Sequence, residues 1–376
     1  MRSTETTARL ELAEAEGAFR ALEDWLEQQR FYTPTADDLV ADLYLGYGLS
    51  EAIRRERTPA PPEPCHLPLL ACVVRKGTYA VDHVDNDPSE DDTLLDHSAE
   101  IGSWEPSWPA GEYEAAIERV RAAIARGDVY QVNLVQHLSA SFDGDAASLA
   151  SSLSSGLARF DPLIPWPLSG EAWSIVSASP ELFLARRGRR VWTMPIKGTR
   201  PAGCGDELAR SEKDAAEHVM IVDLERNDLS RVCEPGSVRW PELKSTRTLA
   251  GVEHMVSTVE GVLRDGVGLA ELLEATFPGG SVTGAPKIAA VDLIAGLEPV
   301  GRGASMGALG RVYPNGDLAL ALTIRTFALA EGRVHLWVGG GVVWDSDPRA
   351  EVEESWTKAR PLLEAIGAPY ETHVAS

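Results

Sequence analysis

Lys197 stands alone at the end of a short apolar stretch, TMPIKGTRP, and is followed at once by a Gly-Thr turn. A lysine at a strand end ordinarily snorkels into water, so its chemistry depends on what faces it. The acid within local reach is Glu181, in ASPELF, on the far side of the turn RRGRR. A three-residue loop over Arg187 to Arg189 sets Glu181 opposite Pro195 and puts Lys197 on the same face, roughly 7–8 Å away on the diagonal. A two-residue loop puts the two on opposite faces. An acid and an amine aimed into one site support proton transfer and nucleophilic addition. Taken alone, the hairpin favours the ordinary alternative, a surface ion pair worth ~0–1 kcal/mol.

Two helical stretches carry paired carboxylates. In SEKDAAEHVMIVDLERNDLSRVC, Asp214, Glu217, Ile221 and Leu224 fall on one stripe, and in SDPRAEVEESWTKARPLLEAIG, Glu351 and Glu354 lie three apart. A carboxylate on a stripe that faces the core demands a counter-ion. Two such pairs supply the hard oxygen donors that Mg²⁺ takes, with substrate oxygens and waters completing the octahedron. Each pair by itself reads as a solvated acidic face. In FPGGSVTGAPK, Gly279, Gly280 and Gly284 permit close approach, and Pro286 suits the first turn of a following helix, whose free amides favour an anion. The order Gly-Lys-Ser of a phosphate loop is missing. LALALTIRTFALA alternates as one strand, with Arg325 sharing a face with Thr323 and Phe327. An arginine there is either edge-exposed or a bidentate fork for a carboxylate. Gly339 to Gly341 weaken a strand unless something must come close.

The elements that hold these groups are legible in outline. An apolar stripe of Leu12, Ala15, Phe19, Leu22 and Leu26 predicts an early helix, and the prolines at 59, 61, 62, 64 and 68 predict a linker. LLACVVRKGTYAVDH predicts a hairpin, followed by the acidic loop DNDPSEDD. Tyr113, Ile117, Val120 and Ile124 predict a helix stopped by Gly127, then the strand DVYQVNLVQHLSA. Hairpin turns are expected at RRGRR, PNGD and AEGR. The mixture is α+β with large antiparallel sheets. With 35 Lys and Arg against 57 Asp and Glu, the net charge of −22 argues against nucleic acid and anionic membranes as partners. Cys65, Cys72, Cys204 and Cys233 show no metal spacing and fit a reducing compartment. No apolar run reaches a membrane span, so a cytoplasmic protein is expected.

Together, DVYQVNL, ASPELF, PIKGTRP, EHVMIVDLERNDLSRV, EHMVSTVEG, FPGGSVTGAPK, ALTIRT and GGGVVWDSDPRAEVEE resemble, in order, the chorismate-utilising enzymes. Most similar is the branch of the aminodeoxychorismate synthase subunits, which serve 4-aminobenzoate and folate synthesis. The resemblance implies an anthranilate synthase component I-like fold, two large facing antiparallel sheets with outer helices (α/β/β/α). Residues 109–370 would form the chorismate-binding catalytic domain, after a shortened N-terminal region at 1–108. It implies Glu217 and Glu354 as Mg²⁺ ligands, with Asp214 and Glu351 beside them. Arg325, Gly340 and Gly341 would clamp the carboxylates of chorismate, and Gly198, Thr199, Ser281 and Thr283 would add substrate contacts. His254 would lie near the ring, Glu181 would assist departure of the 4-hydroxyl, and Lys197 would add to ring carbon 2 before ammonia arrives at carbon 4. Anthranilate synthases carry alanine at that lysine position. The alternatives are anthranilate synthase component I, an isochorismate- or salicylate-type synthase, and a noncatalytic glutaminase-binding partner. No Gly-x-Cys-x-Gly nucleophile turn occurs, so ammonia is expected from a glutaminase subunit in a separate chain. The pattern departs at Leu182, Ala202, Arg311 and Ala319.

Overall fold

A computed structural model of the chain describes residues 6–36, 38–56, 58–77, 99–109, 111–154, 167–201, 210, 212–249, 252–368 and 370. Its strands form two antiparallel sheets, one of ten strands and one of eight. The ten-stranded sheet runs Thr6–Leu12, Leu70–Lys76, Leu39–Leu45, Ala308–Val312, Leu318–Leu322, Leu182–Arg187, Arg190–Met194, Val252–Val262, Ile196–Pro201, with Arg239–Leu249 also paired to Val252–Val262. The second sheet centres on Gln131–Asp143, Arg333–Val342, Thr326–Ala330 and Trp173–Ser177. One apolar core joins the sheets, taking Leu43 and Phe183 from the first and Val132, Ile175 and Trp337 from the second. A smaller core puts Leu138, Phe327 and Leu336 of the second sheet under the helices Ala146–Ser154 and Pro348–Ala365. Gln131–Asp143 is therefore covered on both faces, and its first ten residues are all buried.

Local signals account for several elements. The helix Glu112–Arg126 ends at Gly127, whose φ of 81° is the left-handed turn glycine adopts without a Cβ penalty. Pro348–Ala365 starts on Asp347, whose carboxylate accepts from the Ala350 N–H at 3.0 Å. The three expected hairpins form at Gly188–Arg189, Tyr313–Asp317 and Glu331–Gly332.

Three expectations are corrected. Leu12 and Ala15 are not helical: Thr6–Leu12 is a strand paired with Leu70–Lys76, and the helix Ala18–Gln28 carries only Phe19, Leu22 and Leu26 of the stripe. The alternation of Ala8, Leu10 and Leu12 was the competing period-2 signal. LALALTIRTFALA is not one strand: Leu318–Leu322 lies in the first sheet and Thr326–Ala330 in the second, with Thr323–Arg325 crossing between them. On the helix Glu212–Ser230 the buried stripe is His218, Ile221, Val222, Glu225, Asp228 and Leu229; Glu217 and Leu224 flank it. The second strand of the hairpin expected after Leu70–Lys76, and the loop DNDPSEDD, lie outside the described residues.

Candidate active site

Glu181 and Lys197 come to one side of the sheet, by neither simple route. The hairpin turn has two residues, Gly188 and Arg189, which on a regular ladder separates the faces. Both neighbouring strands then skip Phe183: Trp192 faces Ala185 but Met194 faces Leu182, and Leu320 faces Leu184 but Ala321 faces Leu182. This bulge shifts the register by one residue and brings Glu181 opposite Pro195. The Ile196 N–H then donates to Glu181 Oε1 at 3.2 Å. A second bulge follows at Gly198, with φ 69°, between the pairs Lys197–Met255 and Thr199–His254. It turns Lys197 toward the glycine loop, where Nζ donates to the Ser281 carbonyl at 3.2 Å.

Lys197 Nζ also lies 3.4 Å from Glu217 Oε1, with both side chains mostly buried. The same oxygen accepts from Gln131 Nε2 at 2.7 Å. These contacts draw the first sheet, the helix Glu212–Ser230 and the second sheet to one point. The glycine run sits there. A Cβ on Gly341 would fall 2.9 Å from Glu217 Oε1 and 2.0 Å from Gln131 Nε2. A Cβ on Gly340 would lie 3.3 Å from Glu354 Oε1 and 3.4 Å from Glu351 Oε2. Carboxylates of two helices thus flank two consecutive glycines, and these hard oxygen donors fit a cation such as Mg²⁺. Among the described residues no three His, Cys, Asp or Glu side chains already stand in one ligand set. Glu354 is paired with Lys358 at 2.7 Å. Asp214 lies on the Glu212–Ser230 helix, but its side chain, like that of Thr199, is outside the described set.

Burial dominates the electrostatics. It raises the pKa of Glu181, against the opposing pull of Lys197, a hydrogen bond from Ser281, the Ile196 amide and Arg325. Burial also lowers Arg325, with Glu181 pulling the other way. His254, buried beside Arg325, is pushed down to about 4 by burial first and the guanidinium second, so it is neutral at pH 7. Arg325 owes its position to the crossover, where its φ is 50° and its carbonyl accepts from the Ala178 N–H at 3.0 Å. Thr323, fully buried, anchors that crossover through the amides of Met306 and Gly307. Thr283 is fully buried, and its hydroxyl donates to the Gly279 carbonyl at 2.8 Å, closing the glycine loop.

Of the expected residues, Lys197, Glu181, Ser281, Glu217 and Arg325 are linked to one another, His254 joins through Arg325, and Gly340, Gly341, Glu351 and Glu354 border them. Gln131 was missed. Its alternation with Val132 signalled an opposite face, but nothing local showed that this face meets Glu217.

In sequence, the chain is 43% identical over 264 residues to anthranilate synthase component 1 of Thermus thermophilus, covering 67% of this chain and 56% of that one. It is 39% identical over 273 residues to aminodeoxychorismate synthase component 1 of Klebsiella aerogenes, covering 70% of this chain and 60% of that one. The chain thus spans less than two thirds of these relatives. The fold matches the crystal structure of anthranilate synthase component I from Streptococcus pneumoniae with a TM-score of 0.80 at 23% identity, over 96% of this chain and 92% of that one. It matches the menaquinone-specific isochorismate synthase of Escherichia coli at 0.73 and 16%, over 96% and 84%. Residues 6–364 fit the family model of the chorismate binding enzymes, and the chain belongs to that family.

Proposed function

We propose that this chain is an aminodeoxychorismate synthase subunit that converts chorismate and ammonia to 4-amino-4-deoxychorismate, toward 4-aminobenzoate and folate. The observation that supports this reading is Lys197 itself, held between the Ser281 carbonyl and Glu217 and coupled to the buried acid Glu181. A lysine with a merely structural charge has no need of an acid with a raised pKa beside it.

The reaction follows from these groups. Arg325 forks a carboxylate of chorismate, and the Gly340–Gly341 backbone lets the ring approach the sheet. Lys197, once it has lost its proton, adds to ring carbon 2; the double bonds shift and the 4-hydroxyl departs as water with the proton of Glu181. Ammonia then adds at carbon 4, and the carbon–nitrogen bond to Lys197 breaks. Neutral His254 offers a hydrogen bond near the ring without adding charge. Glu217 and Glu354 would hold Mg²⁺, with Asp214 and Glu351 beside them; the ion would supply positive charge for a substrate carboxylate. Ammonia would come from a separate glutaminase chain.

The test uses Lys197→Ala and Lys197→Arg with chorismate, Mg²⁺ and ammonium. Both variants are expected to lose amination while still binding chorismate, because a guanidinium stays protonated and cannot attack. Wild type quenched without ammonia is expected to carry a chorismate-derived mass on Lys197. A near-wild-type Lys197→Arg without an adduct overturns the reading. The Thermus relative's name favours a second product, anthranilate; the product mass separates the two.

A further inference from the structure

Gln131 opens the strand Gln131–Asp143 and is 1% exposed. Two glycines make room for it. A Cβ on Gly284 would fall 2.1 Å from its backbone carbonyl oxygen, beside the pair Ala285–Gln131, and a Cβ on Gly341 would fall 2.0 Å from its Nε2. The residue is thereby held between the glycine loop, the glycine run and the helix Glu212–Ser230, where it touches Glu217.

The amide has one orientation. Nε2 donates to Glu217 Oε1 at 2.7 Å, and a carboxylate only accepts, so the nitrogen must face it. The amide oxygen is left at the other end, buried and accepting no hydrogen bond among the described residues. A buried acceptor without a partner is costly, and where a fold keeps one, a bound ion or water is the common reason. Its partner must bring an N–H, an O–H or a positive charge, which the carboxylates of chorismate do not. Glu217 points to the source. Mg²⁺ gives up its hydration reluctantly and keeps several waters, whose O–H groups suit such an acceptor. Carboxylates that ligate metals are themselves held by hydrogen bonds from outer groups, as Glu217 is held here. Gln131 also limits a rival cation. Lys197 Nζ stays 3.4 Å from the same Glu217 oxygen, whereas an uncontested pair contracts to about 2.7–2.9 Å.

We infer that Gln131 is a positioning residue for the cation: its N–H fixes Glu217 Oε1, and its amide oxygen accepts from a water that the bound ion retains. The inference rests on the reading of Glu217 as a Mg²⁺ ligand. Glu217 then meets the ion with its orientation already set, and the hydrated ion completes the hydrogen bonding of Gln131.

The test titrates Mg²⁺ calorimetrically into wild type, Gln131→Met, Gln131→Asn and Glu217→Gln without chorismate, and takes melting temperatures in EDTA and in Mg²⁺. Gln131→Met fills a similar space with an apolar chain. Its Mg²⁺ dissociation constant is expected to rise about 10- to 100-fold, the range for losing an outer partner of a metal ligand. Its melting temperature in EDTA is expected to stay at that of wild type, because Glu217 turns to Lys197 and the unpaired acceptor is gone, while the rise on adding Mg²⁺ shrinks. Gln131→Asn keeps the amide one methylene short and is expected to lie between the two, so a folding defect in one variant leaves the other to decide. Wild-type Mg²⁺ affinity in either folded variant overturns the inference, including where chorismate binding at saturating Mg²⁺ falls, which would give the amide oxygen to the substrate. A lower melting temperature in EDTA with the Mg²⁺ increment unchanged marks a structural role and overturns it too. Glu217→Gln separates the two readings. If it binds Mg²⁺ like wild type, the reading of the metal ligand itself fails; if it loses affinity while Gln131→Met keeps it, only the role of Gln131 fails.

Discussion

Adding one methyl group at Gly341 isolates the site from the fold. Gly341 is not in the left-handed region, so alanine fits its backbone, and the question is only what the new Cβ meets. It would fall 2.0 Å from Gln131 Nε2 and 2.9 Å from Glu217 Oε1. Ordinary contact begins near 3.4 Å, so the Gln131 amide must retreat by more than 1 Å, and the Glu217 carboxylate by several tenths. Both are ends of flexible side chains, and stability is expected to change by no more than about 1 kcal/mol. Catalysis is another matter, because Glu217 also holds Lys197 at 3.4 Å. A displacement near 1 Å in a reacting constellation costs about 100-fold, or ~2.7 kcal/mol of barrier. Gly339→Ala is the contrast: its Cβ would fall 2.0 Å from the Leu134 carbonyl, a backbone atom of the neighbouring strand that cannot step aside. That variant is expected to lose stability outright. The assay pairs ammonium-dependent chorismate turnover with thermal melting. Wild-type kcat/KM in Gly341→Ala, or equal stability losses at Gly339 and Gly341, would refute the reasoning.

Other outcomes follow from the same geometry. Glu217→Gln and Glu354→Gln are expected to fold normally while losing Mg²⁺ affinity and turnover, and calorimetric titration with Mg²⁺ checks this; unchanged affinity in both counts against the site. Lys287→Met strands the buried Asp228 and is expected to destabilise by about 3–5 kcal/mol in urea unfolding, whereas an exposed pair such as Arg226–Asp223 is expected to contribute under 1 kcal/mol. His137 and His335, stacked in the second sheet, are pushed by burial down to about 3 and about 4. The unfolded chain therefore binds more protons below about pH 6.5, so stability is full above that pH and falls as pH drops toward 4. Melting temperatures at pH 7 and pH 5 test it, and the double variant His137→Gln/His335→Gln is expected to show a smaller drop.

The sequence by itself determined the parts whose physics is local. Gly127 ends a helix because only its own backbone must turn left, and Asp347 starts one because its carboxylate reaches an amide three residues on. The types of the candidate site groups were legible too: Lys197, Glu181, Glu217 and Arg325 each stood out against an apolar stretch or a periodic stripe. What the sequence left open was which of them share a face. A two-residue turn would have parted Glu181 from Lys197, and the bulge at Phe183 brought them back to one side. Bulges depend on two neighbouring strands far away in the chain, so no local pattern announces them. The crossover at Thr323–Arg325 was hidden for a related reason: both sheets bury that stretch, so its apolar alternation continues while the chain changes sheets. Glu225 and Asp228 lie off the stripe marked by Asp214, Glu217, Ile221 and Leu224, and only packing shows that they are buried, because burial belongs to the neighbours and not to the residue. Tertiary structure decided the site, since register and desolvation are set by contacts between segments and the sequence specifies each segment only for itself.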